Sequence, residues 1–129
     1  MKKIMETGNA PAPIGPYSQA VLFGDTLYTS GQIALHPQTG ELVLGDIETE
    51  TKQVMENLKA VLHEAGMTFE DVVKTTIFIM DMNDFAKINA VYATYVNEAT
   101  APARETVQVA GLPKGVTVEI SMIARKTLN

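Results

Sequence analysis

The segment that most restricts the possible folds is residues 71 to 80, DVVKTTIFIM, because it has β-branched and apolar side chains on both faces. Residues of this kind favour an extended strand. A strand that is apolar on both faces has to be covered on both sides. The segment is therefore predicted to be an inner strand of a sheet with one face under helices and the other under further apolar surface.

A first amphipathic helix is predicted to begin at Asp46 and to stop at Gly66. Glu48 and Glu50 are favourable near its positive N-terminal end, and a glycine is a common helix terminator. Its apolar residues repeat at helical spacing, which predicts a core-facing stripe. They are Val54, Leu58, Val61, Leu62 and Ala65.

A second helix is predicted after Asn83 or Asp84, either of which can cap it. Asn89 falls within the apolar stripe of this helix, at helical spacing from its neighbours. The stripe consists of Phe85, Ile88, Tyr92, Tyr95 and Val96.

A β-hairpin is predicted from residues 17 to 23 and 26 to 33, which flank Gly24-Asp25. The pair suits a two-residue turn, since glycine accepts a positive φ. Pairing residue 23 with residue 26 fixes the register and places a set of hydroxyl and amide side chains on one face. These are Tyr17, Gln19, Tyr28, Ser30 and Gln32.

The remaining segments complete an α+β fold. A weakly signalled strand is expected around 41 to 44, another follows Pro102, and a last one covers 116 to 124 after the turn GLPKG. The inner strand, the second helix and the strand after Pro102 predict a right-handed crossover with parallel ends. Residues 1 to 129 thus form one domain, a mixed sheet of about six strands with two helices on one face. We expect the other face to meet another subunit.

Two charged residues stand in these last strands, Arg104 and Glu119. By alternation, Arg104 shares a face with Thr106, and Glu119 shares a face with Ser121. Spacing leaves open whether the two strands pair directly or are separated by the 71 to 80 strand. Two interpretations of these charges also stay open. They could be a solvated surface ion pair that contributes little to stability. Alternatively, Arg104 could bind a small carboxylic acid, since arginine binds a carboxylate with two parallel hydrogen bonds.

Composition and motifs exclude several other functions. The chain has no cysteine, and its two histidines, His36 and His63, match no metal-ligand spacing. A net charge of -5 with scattered basic residues disfavours a nucleic-acid partner. No apolar run reaches membrane-spanning length, and the start resembles no signal peptide, so a cytoplasmic protein without a membrane partner is expected. No nucleotide-binding glycine loop, nucleophile elbow or acidic metal cluster is present.

Four ordered segments resemble the reactive intermediate deaminase family (RidA, YjgF-like): APAPIGPYSQAV, LYTSGQIALHPQTGEL, VKTTIFIMDMNDFAKINAVYATY and PARETVQVAGLPKGVTVEISMIA. The resemblance covers nearly the whole chain. It implies a homotrimer of chorismate-mutase-like subunits with a ligand cleft at each interface. It also implies that small 2-imino acids or their enamine tautomers, such as 2-aminoacrylate, are hydrolysed to 2-oxo acids and ammonia without a cofactor or metal.

At matching positions, the resemblance implies that Arg104 binds the substrate carboxylate and that Glu119 positions or activates the attacking water. It further implies a cleft lined by Tyr17, Ser30, Gly31 and Asn89. Two departures from the family pattern are visible. Thr106 stands where many members have cysteine, at a ligand contact expected through the backbone, and Ser121 stands where an acidic residue is usual.

Two rival functions use the same residues differently. A non-catalytic binder of 2-oxo acids would need Arg104 but not Glu119. A ribonuclease or translation inhibitor, an activity attached to some family members, is disfavoured by the acidic charge balance.

Overall fold

A computed structural model describes residues 1–43 and 45–126. The elements along the chain are β1 (Lys2–Met5), β2 (Ala20–Phe23), β3 (Thr26–Thr29), α1 (Ile47–Glu64), β4 (Val72–Ile79), α2 (Phe85–Tyr92), β5 (Ala103–Gln108) and β6 (Val118–Arg125). Within this part of the chain, neither helix combines the length and the apolar character needed to cross a bilayer.

The six strands form one mixed sheet in the order β1-β2-β3-β6-β4-β5. β4 and β5, which α2 connects along the chain, are parallel neighbours in the sheet. The other described strand pairs are antiparallel. Parallel neighbours need a crossover connection, which α2 supplies. The predicted mixed sheet with two helices and the parallel ends of the strand-helix-strand unit are confirmed.

The hairpin has the predicted register, with Phe23 opposite Thr26 and Gly24 at a φ of 62°. Its strands are shorter than the predicted 17 to 23 and 26 to 33: β2 begins only at Ala20, and β3 already ends at Thr29. Beyond Thr29 the chain leaves the regular ladder, so the predicted single polar face does not continue as strand into residues 30 to 33.

Helix α1 follows the sequence pattern closely. The Asp46 carboxylate accepts a hydrogen bond from the Thr49 backbone N–H at 2.8 Å, and Gly66 has a φ of 71° just past the end. The predicted apolar stripe faces the sheet, with four of its side chains almost completely buried: Val54, Leu58, Val61 and Leu62.

Helix α2 begins directly after Asp84, as predicted, but lacks the expected side-chain cap and ends early. The carboxylate of Asp81 accepts from the Asn83 N–H and caps the short turn before the helix, whereas Asp84 makes no side-chain cap. The helix ends at Tyr92, short of Val96, and Thr94 donates its hydroxyl to the Val91 carbonyl. Such local hydroxyl bonding competes with helix continuation.

The strand expected around 41 to 44 is replaced by a strand at the N-terminus. Residues 41 to 43 contribute an isolated bridge between Leu35 and Leu42, and Leu44 lies outside the described residues. β1 was not predicted, since a four-residue edge strand that carries two lysines gives little periodic signal.

The two faces of the sheet differ in cover. On the helix face, Thr75, Ile77 and Ile79 of β4 are buried. The opposite face, called the open face below, is only partly covered by its own chain. Its exposed apolar side chains are Ile4 (49% exposed), Phe23 (59%), Tyr28 (49%) and Val107 (43%). Large apolar side chains exposed on one sheet face are typical of an interaction surface.

Candidate active site in two halves

A cleft of about 320 Å³ on the open face contains four of the residues that the sequence singled out. Glu119 of β6 and Gly31 lie in its wall together with Tyr17 and Ser30. Apart from Gln19 and Gln32, the rest of the lining is apolar, including Ile14, Ile33, Leu35 and Pro113. A mostly apolar cavity with a few convergent polar groups is the usual form of a small-molecule site.

Gln19 builds one wall of this cleft. Its side-chain amide is 2% exposed and makes four hydrogen bonds to the backbone of the N-terminal segment. It accepts from the Thr7 N–H and donates to the carbonyls of Thr7, Ala10 and Pro11, at 2.7 to 3.2 Å. These bonds fix the segment between Thr7 and Pro11, and the Tyr17 hydroxyl accepts a further bond from the Ile14 N–H.

Gly31 lies at an irregularity that brings the backbone onto Glu119. Between the Tyr28–Ile123 pair and the Gln32–Ile120 bridge, the segment after β3 advances by four residues while β6 advances by three. The extra residue makes a bulge, a feature that is common beside active sites. A Cβ atom on Gly31 would lie 2.6 Å from Cδ and from Oε2 of Glu119. Only glycine therefore allows the carboxylate to lie in this position.

Burial raises the pKa of Glu119 above its ordinary value. Within the described part of the chain, no hydrogen bond or ion pair reaches this carboxylate to offset the desolvation. A half-buried carboxylate without a protein partner is available to hold a water molecule or to exchange a proton.

A second group of the predicted site residues lies around Arg104 on the edge strand β5. Its Nη1 donates to Oδ1 of Asn89 at 2.7 Å, and its Cζ lies 5.0 Å from the ring centroid of Tyr92 and 5.6 Å from that of Phe85. These contacts hold the guanidinium at the mouth of a cavity of about 580 Å³. Arginine has five N–H donors, so donors remain for a carboxylate after the bond to Asn89.

Thr106 follows Arg104 on the same face of β5. Its hydroxyl oxygen is buried and has no hydrogen-bond partner within residues 1–43 and 45–126. An unsatisfied buried hydroxyl is uncommon in folded proteins. This one belongs to β5, whose outer edge pairs with no strand among the described residues.

The single chain keeps the two halves apart. β4 lies between β5 and β6, which settles the question that spacing left open. In the register, Arg104 is beside the buried Thr75, whereas Glu119 is beside Phe78 on the opposite face. Arg104, Asn89 and Thr106 therefore lie on the helix face, and Glu119 lies on the open face with Gly31.

Sequence reasoning missed residues that hold both halves in place. Gln19 was expected only on a polar strand face, and Phe85 and Tyr92 were expected only as core. The available signal for the contacts of Arg104 was that Phe85 and Tyr92 lie in one helical stripe with Asn89. No local pattern indicated that Gln19 would reach back to the N-terminal segment, because that contact depends on the course of the loop.

Comparisons with known proteins decide the family. The model of the endoribonuclease L-PSP family matches residues 7–126. The chain belongs to this family. It is also known as the RidA or YjgF-like family, as the resemblance of the four sequence segments implied.

Relatives of this family match the chain over nearly their full length. A RutC family protein from Pyrococcus horikoshii is 54% identical, over 98% of this chain and 99% of its own. The 2-iminobutanoate/2-iminopropanoate deaminase of Escherichia coli K12 is 49% identical, over 96% and 98%. The crystal structure of E. coli TdcF with bound serine is 47% identical and superposes with a TM-score of 0.91, over 97% and 99%. The family fold is thereby confirmed.

Proposed function

We propose that the protein hydrolyses reactive 2-imino acids and their enamine tautomers, such as 2-aminoacrylate, 2-iminopropanoate and 2-iminobutanoate, to 2-oxo acids and ammonia. The observation that carries the proposal is the desolvated, unpartnered Glu119 carboxylate in a small apolar cleft. The E. coli relative named as a 2-iminobutanoate/2-iminopropanoate deaminase supports the reaction class.

In this proposal the working site forms between copies of the chain. Arg104 and Glu119 lie on opposite faces of one sheet, so a substrate that touches both has to lie against two subunits. The exposed apolar residues of the open face and the unpaired edge of β5 supply surface for such an assembly. We propose a homotrimer, in which three equivalent interfaces each join the Arg104 half of one copy to the Glu119 half of the next.

The chemistry requires little beyond positioning. Arg104 holds the substrate carboxylate, and Glu119 holds a water molecule against the imine carbon. The water oxygen bonds to that carbon as one of its protons passes to Glu119 and the imine nitrogen takes up a proton, which gives a carbinolamine. Its C–N bond then breaks as the hydroxyl proton leaves and the nitrogen gains a proton, so that the products are a 2-oxo acid and ammonia. The residues supply both proton transfers without a change of oxidation state.

A direct assay generates 2-aminoacrylate from serine with a dehydratase and follows the loss of the imine by chemical trapping. The protein should accelerate hydrolysis over buffer, and Arg104→Ala should abolish the acceleration. Arg104→Lys should also be severely impaired, because lysine lacks the planar pair of donors. A wild-type rate equal to that in buffer, or full activity of Arg104→Ala, would refute the proposal.

A second candidate, a non-catalytic binder of small carboxylates, is favoured by the serine bound in the TdcF structure. Glu119→Gln separates the two functions. If 2-oxobutanoate binding is kept and turnover is lost, the enzyme is supported. If the wild-type protein binds 2-oxobutanoate without turning over any imine, the binder is correct.

The family description also names an endoribonuclease. A net charge of -5 disfavours RNA binding. RNA cleavage that persists through rigorous purification and disappears in Arg104→Ala would revive this function.

A further inference from the structure

We infer that Tyr92 and Thr75 are positioning residues that set the orientation of the Arg104 guanidinium. The inference rests on the proposed function, in which Arg104 binds the substrate carboxylate, and it adds two residues to that machinery.

The three residues form a closed chain of contacts. Thr75 is the neighbour of Arg104 in the register between β4 and β5. The Arg104 side chain lies over the ring of Tyr92, with 5.0 Å from Cζ to the ring centroid. The Tyr92 hydroxyl donates to Oγ1 of Thr75 at 3.0 Å, which closes the chain of contacts. The ring on which the guanidinium rests is thereby tied to the strand next to Arg104.

This arrangement is well suited to fix the plane of the Arg104 guanidinium. Tyr92 is 5% exposed and Thr75 is fully buried, so their hydrogen bond is shielded from water. Burial raises the pKa of Tyr92, and its phenol remains a neutral donor. Asn89 fixes one end of the guanidinium through Nη1, but one hydrogen bond leaves rotation about its own axis. Contact with a ring face removes that freedom, and bidentate carboxylate binding requires a defined plane.

The variants that test this role remove the hydrogen bond between Tyr92 and Thr75 and keep the aromatic ring at position 92. Tyr92→Phe and Thr75→Val each delete one partner, Thr75→Ser keeps the hydroxyl, and the double variant deletes both. Thr51 supplies a matched control, since it is also fully buried and donates its hydroxyl at 2.7 Å within α1, away from Arg104. Thr51→Val should leave ligand binding unchanged.

The measurement is the affinity of the full-length protein for 2-oxobutanoate and for its methyl ester, by titration calorimetry. Tyr92→Phe and Thr75→Val should weaken binding of the acid about five- to tenfold, the size expected for one lost hydrogen bond. The ester lacks the charged carboxylate, and its affinity should not change. Thr75→Ser should retain wild-type affinity. In turnover assays the same loss should appear in KM rather than in kcat.

A purely structural role would give a different pattern. The double variant leaves no buried polar group unpaired, so its melting temperature should recover relative to the single variants. If its affinity for the acid recovers in parallel, or if Thr75→Val and Tyr92→Phe bind like the wild type while Arg104→Ala does not, this inference is wrong and the proposed function stands. If Arg104→Ala itself binds 2-oxobutanoate normally, the substrate anchor of the proposed function fails as well.

Discussion

Replacing Gly31 by alanine would place a methyl group 2.6 Å from Cδ and Oε2 of Glu119 and 2.9 Å from its Cγ. Ordinary contact begins at 3.4 Å, so the carboxylate has to retreat by about 0.8 Å. Its side chain is flexible, and we expect it to move rather than the backbone. A displacement of about 1 Å in a catalytic group costs on the order of 100-fold in rate, or about 2.7 kcal/mol.

Stability should change little. Gly31 is exposed and does not have a positive φ, so alanine fits its backbone conformation. Such glycine-to-alanine changes stabilise by about 0.4–1 kcal/mol through the unfolded state, which offsets part of any local strain. We therefore expect a kcat/KM for imine hydrolysis that is about 100-fold lower, with a melting temperature close to that of the wild type.

A matched control is Gly8→Ala, because an added Cβ at Gly8 meets nothing within 4 Å and its φ is also not positive. Gly8→Ala should keep wild-type kcat/KM. The decisive measurement is a double-mutant cycle with Glu119→Gln. If Gly31→Ala acts through the carboxylate, it should cost little further in the Glu119→Gln background. An equal 100-fold loss in that background would refute the reasoning, and so would unchanged activity of Gly31→Ala alone.

Three further predictions follow from the contacts. Because burial raises the pKa of Glu119, the folded protein binds the proton of this carboxyl group more tightly than the unfolded chain does. The ionised carboxylate therefore destabilises the fold as the pH rises above 4.5, the ordinary pKa of a glutamate. Glu119→Gln should thus melt at a higher temperature than the wild type at pH 7, and the gain should vanish below pH 4.5 in scans of ligand-free protein; a gain that is independent of pH would contradict this. Gln19→Ala should lower the free energy of unfolding by about 2–4 kcal/mol in urea titrations, since it removes a buried amide with four backbone partners; a loss below about 0.5 kcal/mol would show that these hydrogen bonds are dispensable. Val107→Asp places a charge on the exposed apolar face and should convert the proposed trimer to smaller species in light scattering, whereas an unchanged mass would place the interface elsewhere.

Most elements were predictable because their signals are local. The Asp46 cap, the helical stripe and Gly66 bound α1 without reference to other segments, and Gly24-Asp25 determines the hairpin register. The same reasoning failed where tertiary contacts compete with periodicity. β1 has no repeating apolar pattern, the helix expected to reach Val96 ends at Tyr92, and the 41 to 44 segment forms one bridge instead of a strand.

The sequence by itself determined which residues share a strand face or a helix face, since alternation and helical spacing are properties of a single segment. Alternation placed Arg104 and Glu119 on polar strand faces, and the family resemblance then made them candidate site residues together with Tyr17, Ser30 and Asn89. Only the tertiary structure decided that β4 separates the last two strands and that the two charges lie on opposite faces of the sheet. Strand order depends on packing among distant segments, and no local spacing encodes it. That order separates Arg104 from Glu119 within one chain, and it is the physical reason for proposing a site shared between copies.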